Sequence, residues 1–177
     1  MKYFVILLMS ISGAAHASTI TVDFDGIALG TGAGSLETQG YIFESTNGVN
    51  GCNGNNCLFS QSDMPFDTTQ VLFRKADNGA FSLESLEVVF GDRVFGQTTS
   101  GETIYSESFS FGFREVFVGD ASWSSMEWVA VSYTDPDGFF GASIDNVWVS
   151  AVPVPAAVWL FGSALAGLGW MRRKQTV

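Results

Sequence analysis

The chain has 177 residues, with eighteen acidic against eight basic side chains, a formal charge of −10, and a composition that is 46% hydrophobic and 14% aromatic. This charge balance repels phosphate backbones and anionic lipid headgroups, which excludes nucleic acid as a partner. The single histidine, His16, lies in an N-terminal segment expected to be removed on export. A mature chain without imidazole has no Ser-His-Asp or Cys-His machinery and no histidine-ligated metal.

Lys2 opens the chain, an apolar run follows over residues 3–11, and small residues close on Ala15-His16-Ala17. A basic start, a short apolar core and an A-x-A site predict a secretory signal peptide over residues 1–17, cleaved before Ser18. The run is too short to anchor the chain across a bilayer.

Residues 18–149 are expected to form one ectodomain. The stretches 18–24 (STITVDF), 40–45, 69–75, 81–91, 102–113, 126–134 and 142–150 read as strands. Val, Ile, Thr and aromatic residues dominate them, and Gly, Asn, Asp and Ser punctuate them. No stretch before Ala156 carries an apolar stripe of helical period. The expected fold class is therefore all-β: an antiparallel β-sandwich, jelly-roll-like, followed by a C-terminal transmembrane helix. A β-barrel has much the same signature. Phe81, Leu83, Leu86, Val88, Phe90, Val129, Val131, Tyr133, Ile144, Val147 and Val149 are the expected core.

Without the targeting ends, Arg74, Lys75, Arg93 and Arg114 face all eighteen acids, a net of −14 over residues 18–151. Such a surface suits divalent cations, neutral polymers or basic partners. The only cysteines, Cys52 and Cys57, stand in the turn-forming stretch GCNGNNC. In an oxidising compartment they are expected to close a small disulfide ring; two thiols with no nearby histidine make an incomplete zinc shell.

Aromatic side chains raise the question of sugar binding. Trp123, in DASWSS, and Tyr105 are the candidates for exposed stacking platforms, against the ordinary alternative of burial in a Phe-rich core. No catalytic residues are assigned. An enzyme here would have to be a carboxylate-pair glycosidase drawing on Glu84, Glu87, Glu107, Glu115 or Glu127, and charged residues at sheet edges more often simply face water.

Residues 150–155 read as an extended linker, because Pro153 and Pro155 exclude regular helix or central strand. Residues 156–171 are uncharged and mostly apolar. As a helix they cover about 24 Å against a hydrocarbon core of about 30 Å. Extension toward Val152 and snorkelling by Arg172, Arg173 and Lys174 close the gap. Those three charges should stop transfer and leave residues 172–177 cytoplasmic, with the ectodomain outside.

The tail VPVPAAVWLFGSALAGLGWMRRK resembles the C-terminal sorting signal of PEP-CTERM proteins of Gram-negative bacteria, in the Val-Pro-x-Pro-Ala variant. The resemblance rests on Val152-Pro153-Val154-Pro155-Ala156, on Trp159-Leu160-Phe161-Gly162-Ser163, on the small and apolar helix, and on Arg172-Arg173-Lys174. Val154 stands where the name-giving motif has glutamate. The resemblance implies passage through the secretion machinery and transient inner-membrane anchoring. It also implies recognition by an exosortase, a membrane protease/transpeptidase of bacteria that make exopolysaccharide, and delivery to the cell surface or extracellular matrix.

A looser likeness covers the ectodomain. VDFDG (22–26), GYIFES (40–45), FSLESLEV (81–88) and IDNVWV (144–149) are similar in layout to jelly-roll domains of the galactose-binding and carbohydrate-binding kind. In those domains the first and last strands pair and often share a structural Ca²⁺. The likeness gives that role to Asp23, Asp25 and Asp145; the alternative is a turn at Asp25-Gly26 and a bulge or strand end at Asp145-Asn146. The expected function is a non-catalytic structural or polysaccharide-associated surface module, with a carboxylate-dependent carbohydrate-active enzyme as the alternative.

Overall fold

The computed structural model describes residues 18–25, 33–51, 57–60, 67–106, 114–135, 137, 141–152 and 161–165. The chain divides into two units, Ser18–Val152 and a second made of Met1–Ala17 with Pro153–Val177. The first unit contains eleven strands: β1 Thr19–Val22, β2 Ala33–Thr38, β3 Tyr41–Gly51, β4 Leu58–Ser60, β5 Asp67–Lys75, β6 Phe81–Phe90, β7 Arg93–Thr98, β8 Thr103–Tyr105, β9 Glu115–Val118, β10 Met126–Asp135 and β11 Ser143–Ala151. Every described pairing is antiparallel.

Local chemistry sets the turns. Gln39 and Gly40 both have positive φ (48° and 81°) and join β2 to β3 through a two-residue connection, the geometry that matches strand twist. Asp77 Oδ1 accepts from the Gly79 amide at 2.8 Å between β5 and β6. Asp120 begins a 3-10 turn, Ala121–Trp123, by accepting from the Ser122 amide, and this turn carries β9 into β10.

The strand order runs β8-β7-β10-β5-β3-β4-β11-β6-β9, with β2 beside β3 and β1 beside β11. Met126 of β10 also meets Phe81 of β6. The strands β10, β5, β3, β4, β11 and β6 therefore form a nearly closed, barrel-like circuit. The sequence pattern suggested two separate layers. The connection between them is β4, which has only three residues but bonds to β3 on one side and β11 on the other. The first and last strands do pair, with Thr21 opposite Trp148 and Val22 opposite Val147.

The core lies inside this circuit. Phe24 meets Phe43 edge-on at 5.0 Å, Phe43 stacks on Phe73 at 5.5 Å, and Phe73 lies 5.7 Å from Phe81. Ten of the eleven expected core residues are buried; Phe90 is only half-buried and lies 6.2 Å from the Tyr133 ring. At about 1.5–3 kcal/mol per fully buried large apolar side chain, these residues dominate the stability of the fold. Strand β11 runs to Ala151, into the expected linker.

Candidate functional site

Alternation along β10 sends Val129, Val131 and Tyr133 into the core, which turns Trp128, Ala130 and Ser132 to the outside of the sheet. Register carries that outer face across its neighbours. Phe95 of β7 lies opposite Ala130, and Tyr105 of β8 opposite Phe95. Trp128 lies opposite Gln97 of β7 on one side and Arg74 of β5 on the other.

These residues form an aromatic face at the β8 end of the sheet. Tyr105 is 60% exposed. Its ring lies 6.1 Å from that of Phe95 with planes 20° apart, and Trp128 meets Phe95 edge-on at 5.8 Å. The Trp128 indole donates to Gln97 Oε1 at 3.0 Å, which fixes its ring. Arg93 places its guanidinium carbon 5.9 Å from the Tyr105 centroid, within cation–π range. Arg74 is held by Glu44 at 3.0 Å and by Asn78 at 2.9 Å. Two of the four cations of the ectodomain thus stand on this one face. The arrangement offers one exposed aromatic face, that of Tyr105, backed by Phe95 and flanked by Trp128 and by hydrogen-bond donors.

Trp123, the other expected platform, is a correction. It is 4% exposed and packs edge-on against Phe117 at 4.9 Å. The polar neighbours in DASWSS suggested a solvated loop. They instead build the 3-10 turn, whose Ser122 side chain and amide both bond to Asp120, and this turn aims the indole inward.

The acidic candidates gather differently from the calcium expectation. Asp145 is 3% exposed. Its Oδ2 is 3.0 Å from Arg114 Nη2, while Arg114 Nη1 is 3.6 Å from Glu87 Oε2. Asn146, at φ 32°, sits in a bulge of β11. Its amide donates to Asp145 Oδ1 and its side chain to Glu87 Oε2, both at 2.8 Å. Burial raises the Asp145 carboxyl above its ordinary value, opposed by the Asn146 amide and by Arg114. Glu87 and Asp25 add smaller fields in the raising direction. The positive charge beside Asp145 is supplied by Arg114. Asp23 is half-buried after β1. Among the described residues no group of three His, Cys, Asp or Glu is placed to hold a metal ion. This cluster ties β6, β9 and β11 together, and the burial of Asp145 withholds it from a substrate.

Cys57 is buried, with Sγ 3.2 Å from Ser143 Oγ; Cys52 lies outside the described residues. Glu84 bonds Ser150 at 2.5 Å across the strand pair. Of residues 152–156 only Val152 is described; Pro153, Val154, Pro155 and Ala156, like Arg172, Arg173 and Lys174, lie outside the described residues. Residues 161–165 are helical and exposed. Among the described residues no helix is long and apolar enough to cross a membrane.

Residues 151–174 of this tail match the PEP-CTERM protein-sorting motif. That motif implies an exported protein, processed by the membrane protein exosortase and sorted toward the cell envelope. No curated protein and no solved structure matches the chain.

Proposed function

We propose that the chain is a non-catalytic module of the cell surface or extracellular matrix that associates with polysaccharide through the Tyr105–Phe95–Trp128 face. The observation that carries this reading is Tyr105, 60% exposed and stacked on Phe95 beside an indole fixed by Gln97. The C–H face of a pyranose is apolar and weakly positive, and it complements the negative face of an aromatic ring. The net charge of −14 favours a neutral glycan, with Arg93 and neighbouring polar groups donating to hydroxyls.

Delivery follows from the tail. Residues 156–171 serve as the temporary membrane anchor, Arg172, Arg173 and Lys174 stop transfer, and 152–156 is the segment that exosortase grips. Cys52 and Cys57 close a small disulfide ring in the oxidising compartment.

The test is electrophoresis of the purified chain through native gels cast with neutral polysaccharides. Retardation relative to a polysaccharide-free gel supports the reading. Unchanged mobility across neutral glycans of different linkage leaves the chain a structural protein. Release of reducing sugar would instead favour the carboxylate-dependent enzyme.

A further inference from the structure

Strand β9 is the last strand of the described sheet and pairs on one side only, with β6. The Gly119 amide donates to Glu84 O, in register with Ser85 opposite Val118. Antiparallel ladders alternate, so residues 115, 117 and 119 turn their backbone groups toward β6, while Val116 and Val118 turn theirs away from it. The side chains of the same two valines are 55% and 70% exposed. Long or apolar free edges are usually blunted by charge, proline or a covering element. Here the two outward-bonding positions carry β-branched apolar residues.

The residues flanking this edge are self-complementary. An antiparallel pairing of two β9 strands about a two-fold axis at Phe117 places Val116 opposite Val118 of the other copy, twice, and their outward amides and carbonyls close four hydrogen bonds. Extended by two residues, the same register sets Arg114 opposite Asp120 of the other copy, again twice. Arg114 keeps 45% of its side chain exposed while bound to Asp145. Asp120 is extended at φ −100° and ψ −170°. Its bonds to Ser122 hold its carboxyl below the ordinary range, and so anionic. Gly119 faces Glu115 on the opposite side. A pairing centred on Val116 would set Val118 against Arg114, and one centred on Val118 would set Val116 against Asp120; neither matches charge or hydrophobicity.

We infer that β9 is a homotypic interface, through which a second copy of this chain adds its own β9 edge to edge and extends the sheet across the two-fold axis. An isologous contact of this kind closes on itself, so it yields dimers and not fibres. Four strand residues make a small contact, and two domains of −14 repel each other, so association is weak in dilute solution and strengthens as salt screens that repulsion. On a crowded surface the effective concentration compensates for the small area. This inference stands apart from the glycan reading, which uses the opposite end of the strand order.

Cysteine cross-linking of the full chain in detergent tests it, with wild type, carrying Cys52 and Cys57, as the baseline. Mixing Val116→Cys chains with Val118→Cys chains under mild oxidation should give at least ten-fold more covalent dimer than either variant alone, because the register joins 116 only to 118. Equal cross-linking by Val116→Cys alone overturns the register and with it the proposal; no cross-linking above wild type overturns the interface. Independently, Val118→Lys should weaken self-association in sedimentation at least ten-fold while leaving the circular dichroism spectrum unchanged. A correctly folded Val118→Lys chain that dimerises like wild type also overturns it.

Discussion

The Tyr105 ring stacks on that of Phe95 at 6.1 Å and 20°, yet Tyr105 is 60% exposed. A side chain that covers a neighbour while remaining open to water contributes little to folding, so its loss should separate binding from stability. Tyr105→Ala is expected to cost no more than about 1 kcal/mol, the value of one aromatic cross-strand pair. It should abolish retardation in polysaccharide gels. Trp123→Ala removes a buried indole and should cost about 3–5 kcal/mol by thermal or chemical unfolding. If the tyrosine variant is retarded like wild type, the face is not the glycan site.

The Asp145–Arg114–Glu87 cluster makes a prediction with a defined sign. Burial raises the Asp145 carboxyl above 3.8, so between that value and its raised folded value the native state holds the proton more tightly than the unfolded chain. The contribution of Asp145 to stability is therefore greatest in acid and falls as pH rises through that window. Asp145→Asn removes this dependence, and the stability difference between wild type and variant should narrow or reverse toward neutral pH in denaturant titrations. Arg114→Gln leaves two carboxylates without their cation and should cost about 1–3 kcal/mol. Because Arg114 already supplies the positive charge, millimolar calcium should leave the melting temperature of the wild type unchanged; a clear rise would restore calcium to the site.

The strands that alternate strongly were legible in the sequence: β3, β5, β6, β10 and β11 lie where Val, Phe and Tyr recur at period two. Four others were not. β2 is AGSLET and β4 only LFS, too polar or too short to show a pattern. β7, RVFGQT, is interrupted by Gly96. A Cβ at Gly96 would come within 2.6 Å of Met126 Cε and Trp128 O, so glycine there reflects close packing of β7 on β10 and not a turn. β9 is EVFV and reads as too brief to stand alone. The pairing of first and last strands was legible, while Asp25 bears on Asp145 only as the smallest of the fields there. Arg114 was missed, because nothing in a linear sequence marks which cation a buried carboxylate will find. Trp123 was misjudged for a related reason: its polar neighbours satisfy one another within the turn and leave the ring free to face inward.

Tyr41 offers a check at alkaline pH. It is 4% exposed, and desolvation by burial, with a smaller contribution from the Asp77 charge, pushes its phenol up to about 12. Between 10 and 12 the unfolded chain loses this proton first. Folding is then progressively disfavoured, by up to about 3 kcal/mol at the upper end. Tyr41→Phe should unfold at a higher pH than wild type when alkaline unfolding is followed by near-ultraviolet circular dichroism. An unchanged midpoint would mean that another group governs the alkaline limb.

The tail prediction concerns covalent structure. Residues 151–174 match a sorting motif processed by exosortase, and β11 ends at Ala151. The segment proposed for recognition by exosortase, residues 152–156, thus follows directly on the last residue of the sheet. Intact mass of the protein from its native host should show loss of residues 1–17 in every fraction. The surface or medium fraction should also have lost the tail within residues 153–156, with or without a new group at its C-terminus. Pro155→Ala should slow that conversion and accumulate the longer form in the inner membrane. A chain that ends at Val177 in all fractions would make residues 156–174 a permanent single-pass anchor, and the ectodomain would act only at the outer face of the inner membrane.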